Sequence, residues 1–406
     1  MTGTFATGTL VRPLGPLERQ AATVGHYVGY SVRVRGRLAP EVLTAAFAAL
    51  ARSHPVLSCR IVDDPDGRAV FVKPAAPPLL IWADRSDEPL PDLDGRAAVL
   101  HIVRESTDTA WVTLLTHHSA ADGRHSVHLL ADLWNYYTGL TEGRAVRPCR
   151  SDFPRSLEQV LTERGITAEK SEPGELPPPK PPMIAPTLRT SPRVRLTAEQ
   201  TAALTQLARR AGTTLNGLAS AALLQAVAEV DGLEIDQPVY GYPVDLRTRL
   251  TPPVGDAEGT NILGLAVFAA TPETATDTET LAQAVTDQLA RDLATGEVQR
   301  YYLRHPEHSL GMTYPRSGMP SASTTNWGVI PKLATPDGLT IDDFRPYLVT
   351  YKPGDVDALG WSYPRNSCIL HTFEGQFTID VVRPDTGAQL LADRIRANLT
   401  RLLPTA

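Results

Sequence analysis

Residues His117-His118-Ser119-Ala120-Ala121-Asp122-Gly123 place two imidazoles and a carboxylate within one short string. An imidazole titrates near neutral pH, so it can take a proton from a substrate and return it. His118 is the residue expected to do so as a general base. A histidine at a strand end is also commonly a hydrogen-bonded structural group, and spacing alone leaves both readings open. Asp122 either orients an imidazole, as in a catalytic dyad, or closes the loop through a buried ion pair with an arginine. Gly123 permits a positive φ or a close backbone approach. His118, Asp122 and His125 would surround a divalent ion only if the loop curled back on itself. No HExxH, cysteine pair or carboxylate-rich segment accompanies them, so no metal is expected. His125 and His128 fall on the helix that follows, one facing the cleft and the other packing. Other signatures are missing: there is no GxSxG elbow, no Walker A loop, no GxGxxG after a strand, and no cysteine in a nucleophile setting. A base without a nucleophile of its own implies direct attack by a bound acceptor on a bound donor.

The motif must be held by its neighbours. Residues 111–116 form an apolar run that predicts a strand, and an amphipathic helix is predicted from about Ser126 to Tyr137. The motif therefore sits where a strand ends and a loop leads into a helix. Residues 28–35 alternate as a half-buried strand should. Pro40 opens a helix with Leu43, Ala46, Phe47 and Leu50 on one face. Further strands are expected over 57–62, 70–72 and 99–103. In the second half, Thr197 begins a capping box, and Thr214 caps a helix over 215–230 ended by Asp231 and Gly232. A strand over 237–242 is expected to stop at Pro243. Residues 277–294 predict a helix, 377–382 a strand, and 387–403 a closing helix. Both halves mix α and β without a short repeat. Eight prolines lie between Pro173 and Pro192. Such a stretch can be neither helix nor central strand and reads as a semi-rigid connector, or else as a long surface loop. The expected organisation is an N-terminal unit over 1–170 carrying the motif, a linker over 171–192, and a C-terminal unit over 193–406.

With 406 residues the chain is long enough for two cores. A net charge of −6 without a basic stripe argues against nucleic acid or an anionic membrane as the main partner. No apolar run approaches the length of a transmembrane helix, and the first residues lack the blocks of a secretory signal. Three scattered cysteines, Cys59, Cys149 and Cys368, imply no disulfide framework, and a cytoplasmic location is expected.

The string His117–Gly123 is similar to the HHxxxDG motif of the condensation-domain and chloramphenicol-acetyltransferase-like superfamily. Ser53-His54-Pro55-Val56-Leu57 resembles the HPxL segment that precedes that motif. Pro243-Val244-Asp245-Leu246-Arg247, Pro252-Pro253-Val254, Thr260-Asn261-Ile262-Leu263-Gly264 and Thr325-Asn326-Trp327-Gly328 resemble stretches of stand-alone polyketide-associated acyltransferases, nearest the phthiocerol dimycocerosyl transferases. The resemblance runs from about residue 10 to residue 400, with its motifs in order. It implies an α/β fold of two chloramphenicol-acetyltransferase-like subdomains with mixed sheets and a channel at their interface. It further implies acyl transfer from a thioester on phosphopantetheine of an acyl carrier protein, or on coenzyme A, to a hydroxyl or amine acceptor. No bound cofactor is implied, and the expected partner is an acyl carrier protein or polyketide synthase. His118 carries over as the base and His117 as a loop-positioning residue. Asp122 becomes a structural strut paired with Arg247, beside Gly123. Asn261, Thr325, Asn326 and His125 are channel candidates; for Thr325 and Asn326 a turn with Trp327 packed in the core is the competing reading. Two alternatives remain: a condensation-like enzyme forming amides or cyclising carrier-bound chains, and a catalytically silent binding module of the same fold. The segment 301–323, with His305 and His308, matches no motif of the family and leaves the acceptor open.

Overall fold

A computed structural model describes residues 4–5, 8–73, 79–169, 188, 191–305, 320–350, 366–383 and 386–403. The first half contributes strands β1 (Thr4–Phe5), β2 (Gly8–Pro13), β3 (His26–Arg35), β4 (Arg60–Asp63), β5 (Ala69–Lys73), β6 (Leu79–Ala83), β7 (Ala98–Ser106) and β8 (Thr109–His117). Its helices are α1 (Pro16–Val24), α2 (Pro40–Ser53), α3 (Gly123–Thr141) and α4 (Leu157–Thr162). The second half supplies β9 (Arg193–Arg195), β10 (Val239–Asp245), β11 (Leu263–Ala269), β12 (Ser321–Val329), β13 (Thr340–Thr350), β14 (Asn366–Phe373) and β15 (Gln376–Val382). With them come helices α5 (Ala198–Arg210), α6 (Leu215–Asp231), α7 (Thr278–Thr295), α8 (Glu297–Arg304) and α9 (Ala388–Thr400).

The described strands form three sheets, ordered β1-β2-β5-β4, β13-β3-β8-β7-β6 and β11-β10-β12-β14-β15-β9. The two larger sheets mix parallel and antiparallel pairs, β6 with β7 being parallel in one and β10 with β12 in the other. The halves are interleaved. β13 from the second half runs antiparallel to β3 along almost its whole length, from Thr340 opposite Arg35 to Thr350 opposite His26. In return, Leu17 of α1 and Leu157, Val160 and Leu161 of α4 pack into the second half's core with α6, α7 and α9. Trp327, Phe344, Ile369 and Phe373 join the first half's core around β3, β8, α2 and α3.

Local chemistry explains most elements. Leu43, Ala46, Phe47 and Leu50 all face the core from α2. Thr197 and Gln200 close their reciprocal capping box at α5, and the Thr214 side chain caps α6, which ends on left-handed Gly232. Three expectations need correction. β3 is buried on both faces as far as Val32 rather than half-buried, because Tyr27, Leu115, Tyr347 and Val349 build a small second core over its other side. Residues 55–58 form a short 3-10 turn, so the strand expected over 57–62 starts only at Arg60. β10 runs through Pro243 to Asp245. It pairs with β12 only from Val239 to Gly241, whereas Pro243 pairs with Leu265 on the β11 side alone. A missing amide donor costs nothing on a strand's open edge. The linker lies outside the described residues apart from Leu188, Ser191 and Pro192, and so does His308.

Candidate active site

The motif loop begins where β8 leaves its sheet. His117 N–H donates to Ala97 O at 2.9 Å and His118 N–H to His26 O at 2.8 Å, so the backbone is held from both sides. The two side chains then part. His117 is buried, its Nδ1 accepts from Ser119 N–H at 3.1 Å, and Tyr27 meets its ring edge-on at 4.7 Å. His118 is half-buried and lines a pocket of about 350 Å³. Its ring stacks on that of His26, centroids 5.3 Å apart and planes 23° from parallel.

Asn261 decides the tautomer of His118. Its Nδ2–H donates to the His118 carbonyl at 2.8 Å, which turns its Oδ1 toward His118 Nδ1 at 3.1 Å. An amide oxygen only accepts, so Nδ1 must carry the proton and Nε2 must carry the lone pair. Nε2 has no hydrogen-bond partner among the described residues. Burial lowers the His118 pKa from its ordinary value, opposed by a hydrogen bond to its own backbone, the Asp122 carboxylate and the Asn261 contact. The ring is therefore neutral at physiological pH. Burial, reinforced by the charges that His118 and His117 would carry, holds His26 further below its ordinary value.

Asp122 lies beneath this pair. Its Oδ2 meets Arg247 Nη1 at 2.7 Å and accepts Ile262 N–H at 2.9 Å, while Oδ1 accepts His125 N–H at 2.9 Å and caps α3. Its own N–H donates to Thr260 O at 2.8 Å. The Arg247 guanidinium also reaches Asp245 Oδ1 and Gly259 O, both at 3.2 Å. Burial alone would lower the arginine pKa, but the Asp122 and Asp245 carboxylates outweigh it and hold it above its ordinary value. One carboxylate thus joins the start of a first-half helix to two second-half loops. Glu18 makes a parallel tie: it is buried, takes both Arg12 terminal nitrogens at 2.6–2.7 Å, and accepts from Thr260 Oγ1 at 2.6 Å. Gly123 has neither a positive φ nor a backbone against it; a Cβ there would meet Trp327 Cδ1 at 2.9 Å, so the glycine makes room for the indole side chain.

The remaining expected residues separate. Thr325, Asn326 and Trp327 of β12 all line the pocket, and Trp327 also packs on Tyr30 in the core. The segment is a strand rather than a turn, with an irregularity between Asn326 and Val329. Asn261 is fully buried behind His118 and is not on the pocket wall. His125 is a correction: it is 1 % exposed, does not line the pocket, and both its ring nitrogens lack a hydrogen-bond partner among the described residues. α3 starts at Gly123, earlier than the amphipathic pattern indicates, so His125 is already helical and lies one turn before buried Leu129, while His128 is half-exposed. The trio His118, Asp122 and His125 does not gather its ligand atoms. Cys368 lines the pocket, but burial, then Asp380, raises its thiol pKa far into the protonated range. Burial pushes the Cys59 thiol up to about 12. Neither is suited to be a nucleophile. Sequence reading missed His26 and Glu18. The alternation that marked residues 28–35 extends back to His26, and His26, Val28 and Tyr30 line the pocket together.

Residues 185–382 match the family model described as the phthiocerol/phthiodiolone dimycocerosyl transferase C-terminus. The phthiocerol/phthiodiolone dimycocerosyl transferase of Mycobacterium ulcerans (strain Agy99) is 30 % identical over 373 residues, which cover 83 % of this chain and 86 % of the relative. That of Mycobacterium sp. (strain JLS) is 28 % identical over 405 residues, covering 92 % and 96 %. The solved structure of polyketide synthase associated protein 5 from Mycobacterium tuberculosis superposes with a TM-score of 0.81 at 26 % identity, covering 99 % of this chain and 100 % of that one. The first condensation domain of the CDA synthetase shares the fold, with a TM-score of 0.64 at 15 % identity, covering 97 % and 96 %. The mixed sheets are therefore those of the condensation-domain and chloramphenicol-acetyltransferase-like fold. Among the described residues no helix is long and apolar enough to cross a membrane. With a relative at 30 % identity across 83 % of its length, the chain belongs to the phthiocerol/phthiodiolone dimycocerosyl transferase family.

Proposed function

We propose that this protein is an acyltransferase that moves an acyl group from a thioester to a hydroxyl or amine acceptor in polyketide or lipid metabolism, without a covalent enzyme intermediate. The donor is carried on phosphopantetheine of an acyl carrier protein, or on coenzyme A, in a cytoplasmic setting. The observation that carries the reading is the His118–Asn261 pair, which leaves a neutral imidazole with its Nε2 lone pair free. His118 Nε2 takes the proton as the acceptor oxygen or nitrogen attacks the thioester carbonyl. The tetrahedral intermediate collapses with cleavage of the C–S bond, and the proton passes from His118 to the departing thiolate. General-base assistance of this kind is worth about 10²–10⁴ in rate. Alignment of the two substrates contributes a further share. His117 and the Asp122–Arg247 pair hold the loop and take no proton. Two things support a family-type reaction: the relatives are named as transferases, and the solved relative is named for association with a polyketide synthase. In this reading units 1–170 and 193–406, joined by 171–192, flank the pocket, and the pocket is the substrate channel.

The test is product formation from acyl-loaded carrier protein, or acyl-coenzyme A, with alcohol and amine acceptors. His118→Ala should lose about 10²–10⁴ of the rate with an unchanged melting temperature. Undiminished product would remove His118 from the mechanism, and a stable mass increase of the protein on mixing with donor alone would overturn direct transfer. Since the base works deprotonated and its pKa lies below the ordinary 6.5, the acid limb of kcat/KM should fall only below that pH.

A further inference from the structure

The face of α3 turned away from the pocket carries a second cluster. His125, His128, Asp132 and Tyr136 follow one another at helical spacing of three and four residues, so they form one stripe. The stripe faces the end of α2. Ser53 Oγ lies 2.6 Å from Tyr136 OH, and His54 Nε2 lies 2.9 Å from Asp132 Oδ2. His128 Nε2 approaches the same Asp132 oxygen at 3.5 Å, and the His54 and His128 rings meet edge-on at 5.8 Å. The three ligand atoms all lie within 4.8 Å of one another. A tetrahedral zinc-class ion with bonds of about 2.0–2.2 Å sets its ligand atoms about 3.3 Å apart, so only small movements are needed. Next along the stripe is His125, its ring 6.3 Å from that of His54, fully buried and with neither nitrogen hydrogen-bonded among the described residues.

We propose that His54, His128 and Asp132 form a binding site for a divalent transition ion of the zinc class, with water in the fourth position. His128 and Asp132, each partly exposed, open the site to solvent and provide the path of entry. Binding requires the proton that His54 Nε2 now shares with Asp132 to move to Nδ1, so that Nε2 coordinates as the neutral Nδ1–H tautomer. None of the three residues lines the pocket around His118, so the ion has a structural role. It clamps the end of α2 to α3, the helix capped by Asp122.

The experiment uses tag-free full-length protein, stripped with a chelator and titrated with cobalt(II) and zinc chlorides. The expected result is one cobalt ion per chain with a visible d–d band, displaced by zinc. Zinc at about 100 µM should raise the melting temperature by about 2–4 °C. His128→Ala and Asp132→Asn should lose both the band and the shift, whereas His118→Ala should keep both, which separates this site from the acyl-transfer chemistry. Absence of stoichiometric binding, or a band of full intensity in both variants, would overturn the site; His54 and Asp132 would then be an ordinary hydrogen-bonded pair.

Discussion

Two ion pairs tie the start of α3 to the segment 245–262, and they lie only two residues apart. Asp122 meets Arg247 at 2.7 Å with side chains 0 % and 2 % exposed, whereas Arg124 meets Asp256 at 2.9 Å with side chains 52 % and 35 % exposed. In sequence they are alike, an acid and an arginine separated by a similar stretch of chain. Water distinguishes them. At the rim, solvent already satisfies both charges, and forming the pair gains little. At the floor neither charge can return to water while the fold lasts, so each depends on the other and on the backbone donors around them. The floor therefore sets the position of His118, and the rim only decorates the pocket mouth.

The largest expected effect falls on the floor. Arg247→Ala strands the Asp122 carboxylate and should cost about 3–5 kcal/mol, read as a lower urea midpoint or melting temperature and lost soluble yield. Asp122→Asn should cost less, because Asp245 still faces the guanidinium and the amide can still accept from His125 N–H. If both variants melt like the parent while activity vanishes, Asp122 acts directly in the chemistry and the contrast with the rim fails. An intermediate effect is expected at Gly123, whose methyl would press on Trp327: Gly123→Ala should cost about 1–3 kcal/mol, and a neutral melting temperature would show that Trp327 yields freely. The smallest belongs to Arg124→Ala, under about 1 kcal/mol and shrinking further in high salt. A loss there as large as at Arg247 would mean that burial is not what separates the two pairs.

Much of this was legible in the residues. Binary pattern and start signals located α2, α5, α6, α7 and β15 to within a few positions: the helices satisfy their own backbone and open on a proline or a capping side chain, and β15 is a short run rich in β-branched residues, although its partners β14 and β9 lie elsewhere in the chain. The partnership of Asp122 with Arg247 followed from motif resemblance. Other features were hidden because they depend on what packs on top. β3 alternates in sequence, yet Tyr347 and Val349 of β13 cover its second face. Pro243 looked like a strand stop until the one-sided pairing of β10 became visible. His125 shares the motif's neighbourhood, but helix phase turns it inward, and His128 and Asp132 gain interest only because His54 arrives from α2.

The amino-acid sequence by itself determined which groups are available for proton transfer, where most elements start and stop, and which family the motifs resemble. These are local properties, written in side-chain type and period. The tertiary structure alone decided which nitrogen of His118 is free, through an asparagine 143 positions away, and which of two similar ion pairs is out of reach of water. Tautomer and desolvation depend on distance and solvent access between segments far apart in the chain, and no local pattern encodes either.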